Sequence, residues 1–175
     1  MNLTGKKKEK TGRSIKKAAK TNAARILDSE KSDYESLQYS TDDGKIDGVS
    51  VAAKIGAPVE AVYKTLVAAG SSKNHYVFLV PVAEELDLKL AAKACGEKKI
   101  EMVPVKEILP LTGYVRGGCS PFGMKKPFRT FVANQASELV EIIVSAGKIG
   151  AQLKMAPEDL LKATKGELVE LTAKP

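Results

Sequence analysis

Three places in this chain have the residue types to do chemistry. In LTGYVRGGCSPFG (111–123), Cys119 follows two glycines and precedes a Ser-Pro, with Arg116 three residues before it. A cysteine in a glycine-rich turn beside a cation is a setting that activates a thiolate. Lys64 interrupts VYKTLVAAG, a run that is otherwise almost wholly apolar. His75 is the only imidazole in the chain.

A catalytic cysteine needs a base within hydrogen-bond reach, most often histidine. His75 heads a predicted strand beside a hairpin turn, and nothing in the spacing brings it to Cys119. The turn has a second reading. Gly117 and Gly118 free the backbone to approach a ligand or take a positive φ, and Pro121 fixes the exit, so the stretch reads better as a backbone-lined pocket wall. Lys64 fits either an edge residue that snorkels to solvent or a point charge for a phosphate or carbonyl oxygen. GKIG (147–150) lacks the glycine-lysine frame of a phosphate loop and precedes a strand, so it does not support Walker-type nucleotide hydrolysis. Cys95 and Cys119 stand far apart with no CxxC or Cys/His cluster, so neither a zinc site nor a disulfide scaffold is expected. Lys125, Lys126 and Arg129 form a small basic cluster that suits a solvated face or a nucleic-acid contact equally.

The elements that must hold these residues follow from periodicity. Ala23, Ala24, Ile26 and Leu27 have helical spacing behind a cap at Thr21 or Asn22, and the helix ends near Asp28. YESLQYS (34–40) alternates as a strand. Residues 49–55 read as a short helix stopped by Gly56, and Pro58 opens one more helical turn. VYKTLVAAG and HYVFLVPV read as buried strands joined through SSKN. Leu88, Ala91, Ala92 and Cys95 share a helix face between Asp87 and Gly96. KIEMV is a short strand, and residues 104–109 a short helix ended by Pro110. FRTFVA, LVEIIVSAG and AQLKMA are strand-like, Pro157 starts a last helix running to about Thr164, and ELVEL closes the chain as a strand. Hairpins interrupt any strict βαβ alternation. The expected class is α+β: a single domain with one mixed, strongly curved sheet flanked by short helices.

The chain has 175 residues, 43% hydrophobic and 28% charged, which suits one globular domain. No apolar run approaches the roughly 20 residues of a bilayer span, and the charged start lacks an apolar segment behind it, so the expected location is cytoplasmic, with no membrane partner. The net charge of +7 is uneven: residues 1–20 hold eight basic residues against Glu9, leaving twenty of each sign from Thr21 onward. Residues 1–20 are therefore expected to be a basic, flexible tail, either simply solvated or in contact with phosphate, and residues 21–175 the folded domain.

Four segments in one order carry a family resemblance: VYKTLV (62–67), VFLVPVAEELDLKLAAKACGEKKIEM (77–102), LTGYVRGGCSPFGMKKP (111–127) and IIVSAGKIGAQLKMAPEDL (142–160). Together they resemble the YbaK family, free-standing aminoacyl-tRNA deacylases similar to the editing insertion domain of bacterial prolyl-tRNA synthetase. The resemblance spans about Ala23 to the end. It implies hydrolysis of the ester joining a wrong amino acid to the 3′ end of tRNA, typically cysteine on tRNA-Pro, with no cofactor or metal. It also implies that the enzyme supplies no nucleophile: the substrate's own thiol attacks the ester carbonyl, and a thiolactone leaves. On this likeness Lys64, Gly117 and Gly118 carry catalysis by positioning and backbone N–H donation, while Tyr39, Thr65, Ser145 and Gln152 line the substrate pocket. Where some members have an acid, this chain has Gln152, which removes a carboxylate base there. Alanyl- or seryl-tRNA would need an activated water instead, and a non-catalytic tRNA- or synthetase-binding module is the alternative of a different class. Mischarged tRNA is the implied partner, and prolyl-tRNA synthetase a candidate second one.

Overall fold

In the computed structural model, which describes residues 20–173, five helices and eight strands follow one another in mixed order. Helix α1 (Asn22–Ser29) starts where the Thr21 side chain accepts from the Ala24 N–H, and it buries Ala23, Ala24 and Leu27. Strand β1 (Tyr34–Gln38) follows. Helix α2 (Gly48–Lys54) is capped by Asp47, and a single 3₁₀ turn (Val59–Ala61) sits behind Pro58. Strands β2 (Tyr63–Gly70) and β3 (His75–Pro81) form the expected hairpin. Helix α3 (Leu88–Cys95) runs from the Asp87 cap to Gly96 in the left-handed region, with Ala91, Ala92 and Cys95 buried. Then come β4 (Ile100–Met102), α4 (Val105–Thr112), β5 (Arg129–Ala133), β6 (Ile142–Ser145), β7 (Ala151–Met155), α5 (Pro157–Thr164) and β8 (Glu167–Val169).

Two expectations need correction. Helix α4 does not stop before Pro110 but carries it inside and ends at Gly113. Proline removes one i→i−4 bond, here to the Lys106 carbonyl. Both residues are exposed, so solvent can serve that carbonyl. The strands also do not share one strongly curved sheet. They divide into a three-stranded antiparallel sheet, β1-β7-β6, and a five-stranded sheet, β4-β2-β3-β5-β8. In the larger sheet β4, β2 and β3 pair antiparallel, whereas β3, β5 and β8 run parallel. An apolar pattern identifies each strand but not its neighbour, so the break between sheets was invisible.

The two sheets meet where a parallel bridge joins Val62, just before β2, to Ile143 in β6. Both residues are buried and pack with Ala52 of α2. The main core lies over the larger sheet, where Phe78 and Phe131 are fully buried with stacked rings 5.6 Å apart. The basic segment expected at residues 1–20 lies outside the described residues except for Lys20.

The junction can be weighed directly. Ile143→Ala should cost about 2–5 kcal/mol of unfolding free energy in urea and Ile143→Val about 1. A loss under about 0.5 kcal/mol for the alanine variant would mean that the sheets do not depend on this contact.

Candidate active site

The bridge decides what stands beside what. Because the Val62–Ile143 pairing is parallel, two residues further along each strand Lys64 comes level with Ser145. The β6–β7 register then sets Ser145 opposite Gln152, and β1–β7 sets Gln152 opposite Leu37. Tyr39, just past β1, donates its N–H to the Gly150 carbonyl at 3.0 Å. Three strands and the sheet junction thus deliver Tyr39, Lys64, Ser145 and Gln152 to one spot.

There a cavity of about 110 Å³ is lined by these four with Thr65, Gly117 and Cys119, and by the apolar side chains of Ile46, Val51, Val62 and Val82. Of the residues chosen from sequence, only Gly118 is not on the wall. It sits behind it. A Cβ on Gly118 would lie 3.0 Å from the Ile149 nitrogen and 3.1 Å from the Lys148 carbonyl carbon, so glycine lets the two site loops touch backbone to backbone. The Gly118 N–H is occupied, donating to the Val115 carbonyl at 3.0 Å and closing a turn that has Gly117 at φ 87° in its third position. The N–H groups of Gly117 and Cys119 have no acceptor among the described residues. The backbone donors therefore flank Gly118 rather than include it.

Each polar side chain on the wall has a defined state. Lys64 has a side chain 28% exposed, and its nearest acid is Glu85 at 3.7 Å, itself 94% exposed. Such a loose surface pair is worth little, so an anion can take the ammonium over. Ser145 accepts from the Gly147 N–H at 3.1 Å, which leaves its own proton to donate. The Thr65 hydroxyl is buried with no partner among the described residues. An unmatched buried hydroxyl costs about 1–3 kcal/mol, a cost that a bound polar group would remove. Gln152 is buried and makes no side-chain hydrogen bond with a described residue, so its amide is available to the cavity. Tyr63, next to Lys64, also has an unpartnered hydroxyl; burial, with Glu84 and Glu138 adding to it, raises its pKa far above the ordinary range.

Cys119 is not prepared for attack. Burial pushes its thiol pKa up to about 11, only partly opposed by the nearby Thr112 hydroxyl, and its neighbours Val67 and Val103 are buried apolar residues. His75 is at the far end of β3, five residues or roughly 16 Å from Val80, the partner of Lys64. Its ring leans on Phe128, 5.8 Å away. No carboxylate and no imidazole lines the cavity. Among the described residues no group of three or more metal-ligating side chains gathers. The arrangement can hold a small polar group and offer it one cation, with the unpaired N–H groups of Gly117 and Cys119 in the residues of its wall. It has no general base.

Sequence reasoning missed Lys54. Its ammonium donates to the Ser40 and Lys45 carbonyls and to Asp43, each at 2.7 Å, and lies 5.8 Å from the centre of the Tyr39 ring. It ties down the loop carrying Tyr39 and Ile46 into the cavity. In sequence it is one more surface-helix lysine, with no signal to set it apart.

The fold and the pocket define a small α+β domain with a positioning site at a sheet junction. The family model of the aminoacyl-tRNA editing domain matches residues 47–163, and the chain belongs to that family. It is 43% identical over 155 residues to EbsC of Enterococcus faecalis, named as a Cys-tRNA(Pro)/Cys-tRNA(Cys) deacylase, covering 89% of this chain and 94% of that one. A crystal structure described as a trans-editing enzyme for prolyl tRNA synthetase superposes with a TM-score of 0.76 at 23% identity, over 89% of this chain and 100% of the other. The hypothetical protein APE2540 gives 0.79 at 18% identity, over 87% and 99%. At these identities the two structures establish the shared fold, and the α+β class is borne out.

Two outcomes are expected from the site. At pH 8 the native Cys119 thiol should alkylate roughly two orders of magnitude more slowly than in urea, read by peptide mass, because a thiol whose pKa is about 11 is almost wholly protonated at that pH. Gly118→Ala should lower turnover by at least about tenfold while costing less than about 3 kcal/mol of stability, since its methyl must separate two site loops. Turnover within twofold of wild type would show that the loop contact is not needed.

Proposed function

We propose that this protein is a trans-editing aminoacyl-tRNA deacylase that releases cysteine from mischarged tRNA-Pro. Membership in the editing-domain family and the name of the 43% identical relative support the class of reaction. The observation that carries the mechanism is the cavity wall, which has cation, hydroxyl, amide and backbone donors but no acid–base pair. A site without a base suits a substrate that brings its own nucleophile.

The cysteine side-chain sulfur attacks the ester carbonyl carbon, and the carbonyl oxygen takes negative charge. The N–H groups of Gly117 and Cys119 stabilise that oxygen, a contribution of about 3–4 kcal/mol per well-placed donor. The bond to the ribose oxygen then breaks, that oxygen gains a proton in exchange for the one the thiol loses, and the thiolactone opens in water to free cysteine. Lys64 holds the terminal phosphate or the ester region, Thr65 and Ser145 bind the amino acid's polar groups, and Tyr39 and Gln152 close the pocket. With as many acids as bases from Thr21 onward, the body gives little general attraction to RNA. The basic residues 1–20, or a synthetase already holding the tRNA, supply the rest.

Deacylation of Cys-tRNA-Pro beside Ala-tRNA-Pro tests this reading. The wild type should release cysteine, Lys64→Ala should be slower by about 10² or more, and Cys119→Ala should keep activity within about threefold. A folded but inactive Cys119→Ala would overturn the substrate-thiol mechanism. Release of alanine would point to an activated water, and release of neither amino acid to a binding module. Deleting residues 1–20 should raise KM at low salt and matter less at high salt.

A further inference from the structure

Acids and bases balance from Thr21 onward, but the fold holds the two signs apart. Strands β3, β5 and β8 run parallel, so their starts share one end of the larger sheet and their finishes the other. Past the finishes, Glu84, Glu85, Glu138 and Glu170 stand round one hollow that no lysine or arginine lines. At the opposite end, where β5 and β8 begin, a groove of about 430 Å³ is lined by Lys126, Arg129 and Lys165 and by no acid. This separation gives a neutral body one end that attracts polyanions and one that repels them.

The cationic groove has more than charge. Ile26, Met124 and Phe128 are half-buried on its wall and give it an apolar floor on which a ribose or a base can rest. Lys126 and Lys165 are exposed, and neither has an acidic partner among the described residues. Arg129 meets Glu167 at 3.1 Å, a half-exposed pair that a phosphate can replace. Two connections tie the groove to the rest of the chain. The run that puts Gly117 and Cys119 on the wall of the small pocket continues straight into Pro121–Thr130 on the wall of the groove. Asn22, at the head of α1, donates to the Gly123 carbonyl at 3.5 Å, so the basic residues 1–20 join the body beside it. By strand register Arg129 lies four residues along and two strands across from Lys64, roughly 16 Å away. At about 3.4 Å per nucleotide, a stacked strand covers that distance in about five nucleotides.

We propose that this groove is a second RNA contact, remote from the small pocket, which holds the acceptor stem upstream of the reacting end with Lys126, Arg129 and Lys165 on its phosphates. The proposal rests on the deacylase reading for the identity of the RNA, and its main test involves no turnover. The full-length protein is titrated, by fluorescence anisotropy, into a labelled and uncharged acceptor-stem hairpin RNA at salt from about 50 to about 200 mM. Replacing Lys126 and Lys165 together by alanine should weaken binding about five- to thirtyfold at the lower salt and make the slope of log K against log salt shallower by about 1–2. The pair Lys93→Ala and Lys98→Ala, in α3 and just before β4 at the other edge of the larger sheet, removes the same charge and should stay within about twofold of wild type. With Cys-tRNA-Pro the Lys126/Lys165 pair should raise KM about threefold or more and leave kcat within about twofold. Wild-type affinity in that pair, or an equal loss in the control pair, would overturn the proposal. So would loss of poly-glutamate binding with RNA binding intact, which would assign the groove to an acidic protein. RNA held through Lys126 and Lys165 without deacylation would remove the enzymatic reading and leave the contact. Deacylation with KM unchanged in the pair would do the reverse.

Discussion

The site depends on one contact, the parallel bridge between Val62 and Ile143. It is the seam between two sheets with otherwise separate hydrogen-bond ladders. The strand-borne polar residues of the wall are indexed from it: Lys64 and Ser145 two residues downstream, Gln152 by the β6–β7 register, and Tyr39 through the Gly150 carbonyl. A one-residue slip would exchange the faces of Lys64 and Thr65 and break the alignment of Lys64 with Ser145. Burial of Val62, Ile143 and Ala52 is what opposes such a slip.

Around this seam the protein prepares a place rather than a reagent. A reactive cysteine would need a lowered pKa, an accessible thiol and a partner base; Cys119 has a raised pKa, is 8% exposed and shares its cavity with no histidine. What is prepared is backbone. Gly118 brings two loops into contact, Gly117 turns the chain, and N–H groups on either side are left without acceptors. Dipoles that a fold fixes before a substrate arrives need little reorganisation during a reaction. Lys54 extends the same strategy by pinning the loop under Tyr39 with three short hydrogen bonds.

A cavity of about 110 Å³ lined by a few polar groups lies beside a wider cleft of about 870 Å³ with several apolar side chains on its wall. Lys64 and Gly117 belong to both.

By itself the sequence determined the elements and most of the candidate residues. Helix caps at Thr21 and Asp87, the SSKN hairpin, the left-handed stop at Gly96 and Pro157 at the head of α5 are local signals, and the chain obeys them. Lys64 was legible as a charge in an apolar strand, and the glycine turn as a wall. Tyr39, Thr65, Ser145 and Gln152 look ordinary in sequence, and only the family resemblance singled them out. Tertiary structure alone decided that the strands split into two sheets, that helix α4 passes through Pro110, that Gly118 stands behind the wall, and that Lys54 holds the loop beneath Tyr39. The physical reason is the same in each case. Propensity and periodicity act over a few residues, but pairing between strands, close backbone approach and the burial of a thiol arise between segments distant in sequence, where no local pattern records them.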